Sequence, residues 1–387
     1  MPDRRSTPRE LLDRLVAFDT TSAKTNIPLI DFVQDYLGGL GVESHLVPTP
    51  DGLKASLFAT IGPVDRPGIG LSGHTDVVPV DGQQWETPPF QVVEKDGKLY
   101  GRGTADMKGF LACALAMVPE FQARALKTPL HLLFSYDEEV GCTGVRPMIA
   151  ELGARLPRPR LIIVGEPTSM GIVDSHKGAT RFRTTITGRE AHSSLTHIGV
   201  NAIHIAGMLI GELSKIEEEL RNGPQNPRFT PPYSTVQIGL IEGGRAQNIV
   251  PKHCAFSWEI RAVPDFDLSV VTDRFDRFVR ERCLPTMQAI GKDTGVETVL
   301  VNGVPAYYSG ESSDAVSLAL NLMGQNETHA VSYGTEAGLF QRGGCDSVIC
   351  GPGDIAQAHR PDEFIEASEL DRCMMFLRGL ADWAERN

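Results

Sequence analysis

Hydrophobic and polar residues repeat along the chain with two periods. After "TPRE" at residues 7–10, which has the form of a capping box with proline at the first helical position, apolar residues recur every three or four positions. This pattern predicts an opening helix, and the same period predicts helices over residues 28–37, 107–121 and 146–152. Between them lie the short apolar runs "GIGLSG", "PLHLLFSY" and "RLIIVGE", which are typical of buried strands. The alternation indicates an α/β fold with a mostly parallel, mixed sheet flanked by helices.

The pattern changes at residue 178. Three strand-like runs, "ATRFRTTITG", "TVQIGLIEGG" and "CAFSWEIRAV", and a fourth, "VETVLVNG", are interleaved with helical patterns over residues 201–220 and 268–283. The order β-α-β-β-α-β is that of a ferredoxin-like α+β unit. The α/β pattern then returns with "THAVSYGTEAG", "SVICGPG" and a last helix over residues 367–383. We therefore predict a catalytic domain made of residues 1–177 and 306–387, interrupted by an inserted domain of residues 178–305.

Composition narrows the possible partners and compartments. The formal charge is −12, which argues against a nucleic acid or an anionic membrane as partner. No apolar stretch follows the basic residues of "MPDRRSTPRE", and no window approaches the roughly 18 uncharged apolar residues of a membrane helix, so we expect a cytoplasmic protein. The seven cysteines are scattered and never spaced as CxxC, which favours reduced, mostly buried thiols over disulfides or a thiolate zinc site.

Potential metal donors follow several of the predicted strands. Three adjacent acids, Asp137, Glu138 and Glu139, come directly after "PLHLLFSY". The other donors of this kind lie in "SGHTDVVPV", "GRGTADMKG", "VGEPTS" and "GPGDIAQAHRPDE", and they are His74, Asp76, Asp106, Glu166 and His359. Open α/β sheets bind ligands at this edge, and a mixture of imidazoles and carboxylates without cysteine suits one or two divalent ions such as zinc, cobalt or manganese.

A two-metal site needs a carboxylate between the ions and a water that both ions activate. In that case Glu139 is a ligand, and Glu138 is the general base that takes the proton from the water. Asp76, two residues after His74 on the same strand face, is expected to accept the second ring N–H of His74 and fix its tautomer. Each residue alone also fits a simpler interpretation, since strand-end histidines often hydrogen-bond within loops and a run of acids often begins a solvated helix.

The segments "SGHTDVVP", "GRGTADMKG", "DEEVG", "GEPT" and "AHRPDE", in this order, closely resemble the M20 family of di-zinc amidohydrolases, and the resemblance covers nearly the whole chain. It implies two divalent ions per subunit, Zn²⁺ or Co²⁺. It also implies a ligand set with Asp106 as the bridging carboxylate, His74 and Glu166 on one ion, and Glu139 and His359 on the other. Glu138 takes the position of the catalytic base in the family pattern.

The same resemblance implies a role for the inserted domain. Family members use a histidine from the partner subunit, and "GREAHSSLTHIGVNAI" places His192 at that position. The expected protein is a homodimer whose inserted lid and dimerisation domain supplies His192 in trans to the oxyanion of the tetrahedral intermediate. The alternative is a hydrogen-bonded surface histidine.

Local features indicate the substrate class, an N-acyl amino acid. "FSYDEEVGCTGV" and "SYGTEAGLFQRGG" are most similar to the family members that hydrolyse N-acetylornithine in arginine biosynthesis. Such a substrate needs an acid for its ammonium group, for which Glu336 is the candidate, and donors for its carboxylate, for which Arg261 and Asn248 are the candidates. Glu336 also fits a helix-capping acid, and Arg261 also fits a structural ion pair.

Other functions remain as rivals at this point. A desuccinylase, an aminoacylase or a dipeptidase would use the same metal site and differ only in the substrate pocket. A non-catalytic relative would lack ligands, whereas all five and the base are present here. The glycines of "YGRGTAD" and "GGRAQN" match neither G-x-G-x-x-G after a strand nor a P-loop, and no G-x-S-x-G provides a serine nucleophile.

Overall fold

The computed structural model describes residues 6–387. The α-helices are α1 (Pro8–Val16), α2 (Ile27–Gly39), α3 (Gly109–Gln122), α4 (Val145–Glu151), α5 (Ala202–Arg221), α6 (Ser269–Phe278), α7 (Leu284–Gln288), α8 (Asp314–Met323), α9 (Ala337–Arg342) and α10 (Ala367–Arg386). The strands are β1 (Ser44–Pro48), β2 (Ala55–Ile61), β3 (Ile69–His74), β4 (Val93–Lys95), β5 (Lys98–Tyr100), β6 (Leu130–Ser135), β7 (Leu161–Val164), β8 (Val173–His176), β9 (Gly178–Thr187), β10 (Thr235–Gly243), β11 (His253–Ala262), β12 (Gly295–Val304), β13 (Tyr307–Tyr308), β14 (His329–Val331), β15 (Asp346–Ile349) and β16 (Phe364–Glu366).

The large sheet has the order β1-β2-β6-β3-β7-β15-β8-β13, and β14 pairs with β8. Its four central strands, β6, β3, β7 and β15, are parallel, whereas β1 and β2 are antiparallel on one side and β8 is antiparallel to β15 on the other. Every residue of β3 and β6 is buried, as is typical of central strands in a parallel sheet. The predicted fold class is confirmed. Since the central strands are parallel, their carboxyl ends share one edge, where His74 pairs with Ser135.

The helices follow the predicted pattern, with one informative difference. Helix α1 has the predicted capping box, because the Thr7 side chain accepts the Glu10 N–H and the Glu10 side chain accepts the Thr7 N–H. The helix predicted from residue 107 begins instead at Gly109, after an irregular turn at Thr104–Lys108 whose residues Asp106 and Met107 have non-helical backbone angles. The turn places Asp106 at the sheet edge just before the helix.

Contacts between Cα atoms group the chain into two compact units. One contains the described residues up to Ser175 together with Tyr307–His329 and Thr335–Asn387, and the other contains His176–Ala306 and Ala330–Gly334. The second unit has an antiparallel sheet of order β10-β11-β9-β12, with α5 and α6 packed on an apolar core that includes Phe256 and Trp258. This is the strand order of a ferredoxin-like fold. The bounds and the lid role of an inserted domain stay predictions.

A small sheet of order β16-β5-β4 was not predicted, because its strands have only three residues each. It joins residues 98–100 to residues 364–366, so the segments that carry Asp106 and His359 are held side by side. Over the described part of the chain, no helix is both long and apolar enough to cross a membrane. All seven cysteines are free and buried.

Candidate active site

The carboxyl edge of the large sheet gathers the predicted metal donors. His74 is the last residue of β3, Glu138 and Glu139 follow β6, Glu166 follows β7, and Asp106 lies in the turn before α3. Two groups of three residues could each hold a metal ion, because the ligand atoms within each group lie within 4.8 Å of one another. One group is His74, Asp106 and Glu139, and the other is His74, Glu138 and Glu166. The parallel register thus gathers residues that are far apart in the sequence.

Asp106 lies between two histidines. Its Oδ1 is 3.1 Å from His74 Nε2, and its Oδ2 is 3.4 Å from His359 Nε2. On the far sides, His359 Nε2 is 3.1 Å from Glu139 Oε2 and His74 Nε2 is 3.9 Å from Glu166 Oε1. The arrangement is that of one carboxylate shared by two groups of donors.

The donor set fits divalent cations. Glu166 Oε1 is buried and has no hydrogen-bond partner among the described residues. Burial, together with the negative charge of Asp106, raises the pKa of Glu166 well above its ordinary value. A buried carboxylate oxygen without a donor is unfavourable unless a cation satisfies it, and imidazole plus carboxylate ligands suit Zn²⁺ and related ions. The residues therefore fit the metals that the sequence predicted.

The histidines and acids shift each other's protonation in this structure. Hydrogen bonds with Asp106 and Glu139 raise the pKa of His359 to about 10. Burial opposes ionisation of Asp106, but its hydrogen bonds with His359 and His74 hold its pKa well below the ordinary value. Burial raises the pKa of Glu138 to about 8, with His74 opposing the shift and Glu139 adding to it. The edge therefore holds an excess of carboxylates that a cation would stabilise.

The three adjacent acids point to three different partners. Asp137 forms an ion pair with Lys54. Glu138 Oε1 accepts the S–H of Cys142 at 3.2 Å, and Glu139 faces His359. The repulsion between the three carboxylates is reduced because, after the end of β6, each side chain faces a different partner.

Asp76 contacts the Nδ1 side of His74 through both its backbone carbonyl and its carboxylate. The nearest acceptor of His74 Nδ1 is the backbone carbonyl of Asp76 at 2.9 Å, and the carboxylate Oδ1 is 3.5 Å away. The carboxylate also accepts the Ser22 hydroxyl at 2.7 Å and the Glu138 N–H at 3.1 Å. The backbone carbonyl is the nearer acceptor because β3 ends at His74, so the alternation of side chains does not continue to Asp76. The Nδ1 contact still leaves Nε2 of His74 free to face Asp106.

The remaining predicted residues of the inserted domain lie in the second unit. His192 is exposed, and its Nδ1 accepts the Ser194 N–H at 3.2 Å, so the neutral ring carries its proton on Nε2. Asn248 is exposed, and its backbone carbonyl accepts the backbone N–H of Ser193 at 3.0 Å. This hydrogen bond connects the Asn248 loop to the segment that carries His192. Arg261 Nε lies 3.1 Å from Glu259 Oε1, as in the alternative interpretation of a structural ion pair.

Glu336 is buried beneath the carboxyl edge, in the same unit as the metal donors. Its carboxylate accepts the Ser135 hydroxyl at 2.5 Å and the Ser72 hydroxyl at 3.1 Å, from adjacent strands. Burial raises the pKa of Glu336 to about 7, and the Ser135 hydrogen bond opposes the shift. The Glu336 side chain makes no cap to α9; the Thr335 hydroxyl accepts the Ala337 N–H instead.

Two residues with contacts to this edge were missed by the sequence analysis. Glu363 accepts the backbone N–H of Asp106, and Arg102 pairs with Glu363. The available signal was the second carboxylate of "AHRPDE", four residues after His359.

Comparisons with known proteins agree with the arrangement. A family model described as Peptidase family M20/M25/M40 matches residues 70–383. An acetylornithine deacetylase of Pasteurella multocida (strain Pm70) is 34% identical over 369 residues, which cover 94% of each chain. An acetylornithine deacetylase of Myxococcus xanthus is 35% identical over 376 residues, again covering 94% of each chain.

Solved structures share the fold at lower identity. The M20 family metallo-carboxypeptidase Sso-CP2 from Sulfolobus solfataricus has a TM-score of 0.78 at 18% identity, covering 99% of this chain and 100% of that one. Human carnosine dipeptidase 1 has a TM-score of 0.74 at 17% identity, covering 98% and 97%. The family match and the relatives above 30% identity together show that this chain belongs to peptidase family M20/M25/M40 and is a hydrolase.

Proposed function

We propose that the protein hydrolyses the amide bond of N-acetylornithine, giving acetate and ornithine, at a site with two divalent ions. The substrate is supported by the relatives named acetylornithine deacetylase, which match over nearly the full chain. The observation that carries the metal-dependent mechanism is the Asp106 carboxylate, whose two oxygens face two different histidines.

The proposed ligand groups follow from the distances around Asp106. His74 and Glu166 would hold one ion, Glu139 and His359 would hold the other, and Asp106 would contact both. The ions are Zn²⁺ or Co²⁺, given the imidazole and carboxylate ligands. When bound, they supply a Lewis acid for the acetyl carbonyl and lower the pKa of the attacking water.

Glu138 would handle the proton. Its carboxylate accepts a proton from the attacking water as the oxygen adds to the acetyl carbon, and it returns that proton to the ornithine nitrogen as the C–N bond breaks. One carboxyl group can serve both steps, because it holds the proton between them. Cys142 and the backbone contact with Asp76 keep Glu138 in place.

His192 would donate from the second unit of a partner subunit. The ring proton on Nε2 is available, since Nδ1 is engaged by Ser194. A homodimer is also supported by exposed apolar side chains on this unit, such as Leu240 and Leu300, which are 69% and 62% exposed. In this proposal residues 178–305 form a lid and dimerisation domain.

Mixing two inactive variants tests the trans arrangement. Co-expressed His192→Ala and Glu138→Ala chains should form mixed dimers in which one site has both residues, restoring up to about a quarter of wild-type activity. Each variant expressed alone is the control. A mixture as inactive as its parents, with mixed dimers verified by mass, would place His192 on the same chain as its site or outside the reaction.

Three residues are assigned to substrate recognition. Glu336 would stabilise the substrate ammonium, and Arg261 and Asn248 would bind the carboxylate. The contacts of Glu336 with Ser135 and Ser72, and of Arg261 with Glu259, are the ones that substrate would compete with.

A metal-reconstituted assay tests the proposal as a whole. Chelator-treated protein would be titrated with zinc or cobalt and offered N-acetylornithine, N-acetylmethionine, N-succinyl-diaminopimelate and a dipeptide side by side. We expect metal to restore activity with a preference for N-acetylornithine. Metal-restored preference for another substrate would overturn the substrate, and activity that persists in the verified metal-free protein would overturn the mechanism.

A further inference from the structure

We propose that the buried pair Glu363 and Arg102 sets the spacing of Asp106 and His359 before any ion binds. Both are positioning residues, since neither lies among the donor atoms of the site. The inference rests on the proposed metal centre and adds to it the structural element that holds two of its ligands in register.

Glu363 fixes the backbone that carries Asp106. Its Oε1 accepts the N–H of Ala105 at 3.0 Å and the N–H of Asp106 at 3.1 Å. These two N–H groups belong to the irregular turn before α3, where Asp106 has φ −122° and ψ 93°. Helical hydrogen bonding does not define the backbone of Asp106, so the Glu363 carboxylate takes over that function.

Arg102 connects Glu363 to the His359 segment. Its Nη1 donates to Glu363 Oε2 at 2.6 Å, and its Nη2 donates to Gln83 Oε1 at 2.7 Å. Gln83 Nε2 in turn donates to the backbone carbonyl of His359 at 2.9 Å, and Arg102 Nη1 lies 3.3 Å from the carbonyl of Arg360. The planar guanidinium can serve these acceptors together, which an ammonium group cannot do with fixed geometry.

Burial makes this connection rigid. The side chains of Arg102 and Glu363 are each 1% exposed, and the guanidinium carbon lies 5.1 Å from the centre of the Trp85 ring. An ion pair with this burial cannot separate into solvent, and removing one partner leaves a buried charge unpaired. By contrast, the Arg274–Glu212 pair of the second unit has an arginine side chain that is 30% exposed.

The test compares metal affinity in variants that keep the side-chain shape. Glu363→Gln removes the charge but keeps an oxygen for the two N–H groups, and Glu212→Gln is the control that breaks an ion pair far along the sequence in the other unit. Zinc dissociation constants would be measured by competition with a chromophoric chelator, and folding of the metal-free proteins by circular dichroism. We expect about 10- to 100-fold weaker zinc binding for Glu363→Gln and no change for Glu212→Gln.

A second variant covers the case in which Glu363→Gln does not fold. Gln83 is half-buried, so Gln83→Leu should leave the fold and the ion pair intact while removing the link to His359. Weaker binding of one of the two ions is expected, together with a changed visible spectrum of the cobalt-loaded protein, because the spectrum reports ligand geometry.

The outcomes separate this inference from the proposed function. Wild-type protein that binds no zinc would refute the metal centre itself. Wild-type protein that binds two ions, with folded Glu363→Gln and Gln83→Leu variants that bind zinc equally tightly and give the wild-type cobalt spectrum, would overturn the positioning role alone.

Discussion

Strand β6 has a histidine near its start, and the candidate active site lies beyond its other end. The pKa of histidine is shifted in opposite directions at the two places. At the start of the strand, the ring of His131 lies 5.2 Å from the ring of Phe58, and its Nδ1 is 3.0 Å from Thr60 Oγ1. Burial lowers the pKa of His131 to about 4. Beyond the other end, the hydrogen bonds of His359 with Asp106 and Glu139 raise its pKa to about 10.

The difference shows that protonation is set by neighbours and not by the residue type. His131 has no hydrogen-bond partner at Nε2 within residues 6–387, so its charged form would have no compensation. His359 is more exposed than His131, yet its charged form is stabilised by two carboxylates. Substitutions at the start of β6 should therefore change stability, and those beyond its end should change metal binding and turnover.

The largest effect on turnover is expected from substitution of Glu138, the proposed general base. Glu138→Ala should lower kcat by about 10²- to 10⁴-fold, because the proton of the attacking water loses its acceptor. Steady-state kinetics with N-acetylornithine measure the effect, and metal content of the purified variant is the control. Turnover within a few-fold of wild type, with both metal ions present, would contradict the proposed role.

The next largest effect is expected on binding of the ion that Glu139 and His359 would hold. His359→Ala should weaken binding of the second ion by more than about 100-fold, since even loss of a ligand's hydrogen-bond partner costs 10- to 100-fold. Calorimetric titration of the metal-free variant with zinc should show one tight site in place of two. Two tight sites of unchanged affinity would remove His359 from the ligand set.

At the start of the strand, the expected effect is on stability. The pKa of His131 is lowered from 6.5 to about 4, so the unfolded state binds the proton more tightly between these values. The stability contributed by neutral His131 is present above pH 6.5 and is lost as pH falls toward 4. Between pH 7.5 and pH 5, the metal-free protein should lose about 2 kcal/mol of unfolding free energy through this group.

Urea unfolding of metal-free His131→Leu measures that loss. The variant should lose less stability than wild type over the same pH range, by about the same 2 kcal/mol. His204→Leu, which changes an exposed histidine of α5, should follow wild type. Equal pH dependence of wild type and His131→Leu would mean that His131 titrates alike in the folded and unfolded states.

The smallest predicted effect tests Glu336. Glu336→Gln should lower kcat/KM for N-acetylornithine roughly tenfold relative to N-acetylmethionine, because the ammonium group loses its counter-charge but keeps hydrogen-bond acceptors. The ratio of the two substrates within one preparation is the measurement, so losses in folding or metal content cancel. An unchanged ratio would assign Glu336 to the Ser72 and Ser135 hydrogen bonds alone.

Much of the fold could be predicted because the central strands are short, mostly apolar runs and the longer helices have a clear apolar period. The location of the candidate donors could also be predicted, since parallel strands must end at one edge and the donors directly follow those strands. His74, Glu139 and Glu166 needed only that rule.

The remaining features depend on contacts between distant segments. Glu363 accepts the N–H of Asp106, and Glu336 accepts the hydroxyl of Ser135. Each contact joins residues more than 200 positions apart, so no local pattern in the sequence predicts it. The Asp76 backbone carbonyl lies nearer to His74 Nδ1 than the Asp76 carboxylate does, because β3 ends at His74 and side-chain alternation does not extend two residues further. The short strands of the three-stranded sheet are below the length at which alternation is detectable.

The position of β15 in the large sheet has a consequence for synthesis of the chain. Strand β7, with the sequence "LIIV", pairs on one side with β3, which precedes it, and on the other with β15, which begins only at Asp346. At translation rates of about 5–20 residues per second, residues 165–345 take roughly 10 to 40 seconds to emerge. During that interval the nascent chain presents an apolar strand with an open edge, which is a template for aggregation. We therefore expect the yield of folded protein to depend on chaperones and on growth temperature more than its final stability would suggest.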